Sequence, residues 1–194
     1  MQKHLMIAVN WYGPYKTVKA ARESAKECYG EGLYFAIGRC EGEKRRSMQY
    51  IGIGNDIQTR LKDDHHKLKL VQSSVEIWLG EIATANPSGR RYKATKPTLD
   101  YAEWLHAFYL PMRLNEKKTR RAPDRSVTVM NKWYSCKDWN APEDRPFPAW
   151  PDLIDYPHDD CSKARIVWFD GKMKESDSQP RTRQSPKAKV AVEP

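Results

Sequence analysis

The sequence predicts an α/β (α+β) fold: a small antiparallel or mixed sheet of three strands flanked by helices, extended by further strands at the N- and C-terminal ends. Three observations predict it. Residues 32–39 (GLYFAIGR) and 50–54 (YIGIG) have the Tyr, Phe and Ile content of strands, and the polar, basic stretch between them reads as the long tip of a β-hairpin. Residues 75–82 (VEIWLGEI) supply a third strand with imperfect alternation. Helical spacing of apolar residues brackets this trio at 16–28 and from 97 onward.

In chain order, residues 4–12 (HLMIAVNWY) form a short strand ending at the turn signal Gly13-Pro14. Val18, Ala21, Ala25 and Cys28 then recur at three- and four-residue intervals among Lys16, Lys19, Arg22 and Lys26, which makes an amphipathic basic helix. After the hairpin, Asn55 or Asp56 caps a helix expected over 56–70, with Ile57, Arg60 and Leu61 in its first turns. The third strand leads through a basic loop to the helix beginning near Pro97-Thr98. That helix is apolar nearly all round and so should be buried, its less apolar strip holding Asp100, Glu103 and either His106 or Ala107. Past Asn115 the chain turns basic, and 126–134 (SVTVMNKWY) adds a strand. Residues 136–162 carry five prolines, Trp139, Trp150 and seven acidic residues, an extended segment expected to pack across the domain. Residues 164–170 (ARIVWFD) make a last strand, and the polar stretch from 172 onward is expected to be disordered. The chain thus divides into an N-terminal strand and helix (1–29), a core (30–116), a C-terminal extension (117–171) and a tail (172–194).

At 194 residues the chain is long enough to bury a core. Its 34 basic against 25 acidic residues give a net charge of +9, which favours a polyanionic partner, nucleic acid before an acidic membrane surface. No apolar run approaches the roughly 18 residues of a membrane span, and the N-terminus lacks a signal-peptide core, so a cytoplasmic location is expected. The cysteines at 28, 40, 136 and 161 contain no Cys-x-x-Cys pair and read as free thiols in a reducing compartment. A zinc site from Cys136, His158 and Cys161 is the alternative, with a spacing unlike that of a known finger.

The hairpin and the helix after it bring three polar groups toward one place: the hydroxyls of Tyr34 and Tyr50 and the guanidinium of Arg60. Gly32-Leu33-Tyr34, then Tyr50-Ile51-Gly52, Arg60 ten residues after the second tyrosine, Glu103 inside a helix and Asn115 twelve residues later resemble, in order, the pattern of the GIY-YIG nucleases. The resemblance covers residues 30–116. It departs from the family at Leu33, in the longer hairpin tip, and at Ile53, where a basic residue is frequent.

The resemblance implies a metal-dependent DNA endonuclease that hydrolyses phosphodiester bonds, restriction-type or defence-related. Within it Glu103 would bind Mg²⁺ or Mn²⁺, and Arg60 would pair with non-bridging phosphate oxygens. Tyr34 would accept the proton of the attacking water and Tyr50 would orient water or phosphate, with those two roles exchangeable. Asn115 would fix the glutamate helix or a water, and Gly32 and Gly52 would allow close backbone approach. A phenol with an ordinary pKa near 10 is roughly one-thousandth ionised at neutral pH, so a base role needs that value lowered.

The residues also carry readings of their own. A carboxylate on an apolar helix needs a cation, a hydrogen-bond network or a proton, so Glu103 points either to a salt bridge or to a divalent metal. His65 and His66 read as solvent-facing or as assistants to phosphate binding or catalysis. Lys62, Lys67, Lys117, Lys118, Arg120 and Arg121 read as contacts to a DNA backbone, double-stranded DNA first. Cutting both strands would call for a homodimer or a transient pair of subunits. A non-catalytic nucleic-acid-binding protein and an RNA-directed nuclease are the alternatives.

Overall fold

Alternating apolar residues build one sheet. The computed structural model describes residues 4–28, 30–84, 95–159 and 163–176. Strand β1 (Leu5–Tyr15) buries Ile7, Val9 and Trp11 on one face. Helix α1 (Val18–Cys28) follows, then the hairpin of β2 (Gly32–Cys40) and β3 (Ser47–Gly54). A four-residue helix α2 (Ile57–Arg60) and a 3₁₀ turn (Leu68–Leu70) lead into β4 (Val71–Ile82). Helix α3 (Lys96–Tyr109) starts at a reciprocal cap between Thr95 and Thr98. Strands β5 (Val127–Ser135), β6 (Leu153–Tyr156), β7 (Ala164–Trp168) and β8 (Lys172–Ser176) complete the chain.

The expected three-stranded sheet flanked by helices is not what forms. All eight strands join one mixed, half-barrel sheet in the order β3-β2-β4-β1-β5-β6-β7-β8, with three short helices among the described residues. The predicted trio is present as β3-β2-β4, but the far edge of β4 is covered by β1 in antiparallel register (Val9 opposite Ile82, Trp11 opposite Gly80). Beyond it β1 pairs in parallel with β5 from Leu5–Val127 to Gly13–Ser135, and every other contact in the sheet is antiparallel. The cause is backbone accounting. Each strand leaves a row of N–H and C=O groups on its open edge, and the next strand satisfies them.

Three local expectations also change. The chain does not turn at Gly13-Pro14; β1 runs on to Tyr15, and the register with β4 shifts there, so the proline without an N–H falls in an irregular stretch of ladder. The helix expected over 56–70 stops at Arg60. Leu61 leaves helical geometry at φ −83°, ψ 66°, and the ring Nδ1 of His65 accepts the N–H groups of Lys67 and Leu68, each at 3.2 Å. Ile57, Leu61 and Leu68 are buried all the same, so these apolar positions anchor a loop rather than mark a helical period. Residues 172–176 are not disordered: β8 pairs with β7 around Gly171, whose φ of +91° favours glycine, while 177–194 lie outside the described residues. No helix among the described residues is long and apolar enough to cross a membrane.

The sheet has a cluster on each face. On one, α3 lays Leu99, Ala102 and Leu105 over Phe35, Ile37, Met48 and Ile51. The acidic, proline-rich segment contributes Trp150 there, fully buried, its ring stacked on Phe35 at 3.8 Å between centroids and set edge-on to Trp11 at 4.9 Å. On the other face α1 and α2 bury Ala21, Ala25 and Ile57 against Tyr34, Ala36 and Tyr50.

His106 of α3 sits wholly inside the first cluster, its Nδ1 2.7 Å from the Ala102 carbonyl and its Nε2 3.1 Å from Asn131 Oδ1. Burial pushes this imidazole down to about 4, from an ordinary value near 6.5. The unfolded chain therefore takes up its proton first as pH falls. The stability that neutral burial gives is whole above about pH 6.5 and is lost progressively toward pH 4. The urea midpoint of unfolding is expected to drop between pH 7 and 4.5, and an unchanged midpoint would contradict a neutral buried His106.

Candidate active site

The site is assembled around one phenol. Tyr34 lies on β2 directly opposite Gly52 of β3 and is fully buried. A Cβ built on residue 52 would collide with the Tyr34 hydroxyl oxygen and stand 2.5 Å from its Cζ and 2.9 Å from Cε1 of Tyr50. Gly52 therefore makes room for a side chain from the neighbouring strand. At Gly32 the same construction meets the Gly80 carbonyl at 2.8 Å, so this glycine does serve a close backbone approach.

Arg60 reaches Tyr34 from α2. Asp56 caps that helix by accepting from the Thr59 N–H at 3.0 Å and the Thr59 hydroxyl at 2.9 Å, which fixes a helix too short to hold itself. From there Arg60 Nε donates to the Tyr34 oxygen at 3.1 Å. His65 completes the set. Its Nδ1 accepts two backbone N–H groups, so in the neutral ring the proton resides on Nε2, which then donates to Tyr34 at 3.0 Å. The Tyr34 oxygen thus receives two donors. Tyr50 lies alongside, its ring centroid 5.9 Å from Tyr34 and 5.7 Å from His65, and His66 stacks on His65 at 4.8 Å. Asp56, Thr59, Arg60, Lys62, His65 and His66 line an open cleft of about 710 Å³.

Burial dominates the electrostatics. It pushes the Tyr34 phenol up, with Tyr50 adding to the effect and Arg60 opposing it. His65 is driven down to about 4 by burial, helped by Arg60 and His66, and is therefore neutral at pH 7. Tyr34 raises the Arg60 guanidinium further. The lowered phenol that a base role requires is thus absent from this resting arrangement.

Asn115 and Glu103 approach from the other side of the edge strand β3. The segment after α3 runs along that edge: the Leu114 N–H donates to the Gln49 carbonyl at 2.8 Å, and the Asn115 side chain both accepts from Ile51 N–H (3.0 Å) and donates to Ile51 C=O (2.9 Å). Asn115 therefore binds β3 and not the glutamate helix, imitating one residue of a further strand. Next along, Glu116 takes the Lys67 ammonium at 2.7 Å. The Lys118 ammonium lies between Glu103 Oε2 at 2.5 Å and Asp100 Oδ1 at 2.6 Å, with the Asp100 carbonyl at 3.1 Å. Burial raises the Glu103 carboxyl, and the Lys118 and Arg60 charges pull it back. The helices that carry Glu103 and Arg60 pack on opposite faces of the sheet.

Of the residues read as backbone contacts to DNA, Lys62, Lys117, Arg120 and Arg121 are exposed, while Lys67 and Lys118 are engaged in the ion pairs just described. The sequence reading missed Asp100 and Lys118 as partners of Glu103. The i, i+3 spacing of the two acids on α3 was the available signal. No group of three or more His, Cys, Asp or Glu side chains that could hold a metal occurs among the described residues. The oxygens around the Lys118 ammonium, two from carboxylates and one from a carbonyl, are nevertheless the hard donors that suit Mg²⁺ or Mn²⁺, so these residues fit a divalent ion wherever the ammonium yields. For the zinc alternative, Cys136 is a free thiol whose Sγ lies 3.6 Å from the Pro14 carbonyl, His158 sets its ring against Tyr156, and Cys161 lies outside the described residues. Cys40 is likewise a free thiol.

The chain matches no protein-family model, no curated protein and no solved structure.

Two substitutions test this construction. Gly52→Ala should displace the Tyr34 ring and cost about 1–3 kcal/mol, the usual penalty for overpacking, measured by urea denaturation. Asn115→Ala leaves both backbone groups of Ile51 unpaired, with an expected cost of about 1–3 kcal/mol for a buried unsatisfied group. Hydrogen exchange at the Ile51 amide should accelerate in that variant, and an unchanged rate would show that the edge is closed by something else.

Proposed function

We propose that this protein is a metal-dependent phosphodiester hydrolase acting on DNA, with site residues of the GIY-YIG type. One observation carries the reading: Arg60 and His65 both donate to Tyr34 beside an open cleft that Arg60 and Lys62 line together with Asp56 and Asp64. Hydrolysis of a phosphodiester requires an activated water, a counter-charge for the crowded phosphorus and help for the departing oxygen.

Arg60 supplies the counter-charge. Its guanidinium has five N–H donors, and the phenol oxygens engage part of that set, so a planar pair of donors is left for a phosphate. Tyr34 and the Asp56 cap hold that fork in place. His65 cannot accept a proton at Nδ1, which the backbone occupies, so its part is to position Tyr34 through Nε2–H. Tyr34 and Tyr50 remain the proton-handling pair; two donors on the Tyr34 oxygen favour its charged form while burial opposes it. A divalent ion at Glu103 and Asp100 would supply Lewis-acid stabilisation of the leaving 3′ oxygen when bound. A restriction or defence role, with two copies serving two strands, is the finer form of the proposal.

A second reading, a nucleic-acid-binding protein without catalysis, is favoured by two features: Glu103 is neutralised by Lys118, and Tyr34 has no exposed surface. Incubating supercoiled plasmid with Mg²⁺ or Mn²⁺ separates the two. Cleavage is expected, with Tyr34→Phe, Arg60→Lys and Glu103→Gln each slowing it by about a hundredfold or more. The wild-type rate should climb with pH through the neutral range and beyond without levelling, since burial holds the Tyr34 phenol above its ordinary value. Inert wild type on single- and double-stranded DNA, with both metals, would leave the binding reading. Cleavage of RNA in preference to DNA would reassign the substrate.

A further inference from the structure

Lys118 has a place in this site that its basic surroundings do not explain. Lys117, Arg120 and Arg121 face solvent, yet Lys118 takes a φ of +60°, a conformation that side-chain-bearing residues seldom adopt, and turns its ammonium inward. There it meets three oxygens, from the Glu103 carboxylate, the Asp100 carboxylate and the Asp100 carbonyl, at 2.5, 2.6 and 3.1 Å. The side chains of Lys118 and Glu103 are only 19% and 14% exposed, so the pair is poorly screened by solvent.

We propose that Lys118 is the built-in counter-ion of the cation site, holding Asp100 and Glu103 together until a divalent ion displaces it. The inference rests on the proposed hydrolase reading and specifies how its metal site is controlled. Charge balance supports it: the two carboxylates carry two negative charges, the ammonium offsets one, and a divalent ion offsets both. Chain mechanics support it as well. Asn115 fixes the segment to Ile51 and Glu116 ties it to Lys67, so Lys118 alone needs to leave, on a flexible four-carbon stem, without moving β3 or α3. The released ammonium then joins Lys117, Arg120 and Arg121 on the exposed face, where a backbone phosphate would meet it. Metal and DNA binding thereby become coupled, each favouring the state with Lys118 withdrawn.

The test is metal binding in the absence of DNA. Titrating the full chain with Mn²⁺ and following free ion by electron paramagnetic resonance should show Lys118→Met binding about tenfold more tightly than wild type, as expected when one charge-assisted contact no longer has to be broken. Since that variant can fail to fold, the wild type supplies a second measurement: acetylation of Lys118 followed by mass spectrometry, expected to be slow without Mg²⁺ and to accelerate at saturating Mg²⁺. Equal affinity in wild type and Lys118→Met, or Lys118 labelling indifferent to a metal that Glu103→Gln weakens, overturns the displacement while sparing the hydrolase reading. Metal binding that Glu103→Gln leaves unchanged refutes the assignment of the metal site itself, and the displacement with it.

Discussion

The free edge of β3 is the constraint on which the site depends. A terminal strand must have its open backbone groups satisfied, and here the chain returns from α3 and pairs with that edge through Leu114 and the Asn115 side chain. Closing the edge this way has a consequence for chemistry. Tyr34, Tyr50 and Arg60 belong to the face covered by α1 and α2, whereas Glu103 belongs to α3 on the opposite face. Only at the edge can groups from both faces meet, and the segment from Leu114 to Lys118 carries the contacts that join them: Gln49, Ile51, Lys67 and Glu103 in succession.

Within the site, space and charge are set by different residues. Gly52 decides where the Tyr34 ring can lie, because any side chain there would occupy the volume of the phenol. Arg60 and His65 decide how its oxygen is hydrogen-bonded, and the backbone N–H groups of Lys67 and Leu68 decide which His65 nitrogen carries the proton. Burial then works against ionisation of the phenol, leaving a neutral Tyr34 beside the Arg60 guanidinium. A second cation, Lys118, keeps Glu103 neutralised in the same state. Two internal oppositions therefore coexist: burial against Arg60 at the phenol, and Lys118 against the Glu103 carboxylate.

The sheet's remaining strands matter less to the chemistry than to its support. Trp150, delivered by the proline-rich acidic segment, stacks on Phe35 and abuts Trp11 and Trp133, so β2, β1 and β5 share one aromatic anchor. Arg145 is held by Asp152 at 2.5 Å, and Asp152 also accepts the Phe169 N–H at 3.0 Å, which ties that segment to the chain beyond β7. Composition alone exposed this segment as unusual. Its destination inside the core depended on partners more than a hundred residues distant.

The sequence by itself determined six of the eight strands, β6 and β8 being the exceptions, together with the hairpin, the buried character of α3 and the nearness of Tyr34, Tyr50 and Arg60, because each follows from side-chain pattern or from spacing along a short stretch of chain. It also marked Glu103 as a carboxylate in need of a partner. Tertiary structure alone decided how many strands share the sheet, since edge pairing is the same backbone chemistry for any sequence and leaves no local signature. It alone decided that residues 61–70 form a loop clasped by His65, that Asn115 serves β3, and that Lys118 answers Glu103. Those outcomes depend on hydrogen bonds and charges brought together from opposite faces of a sheet, and no periodicity along the chain encodes such a meeting.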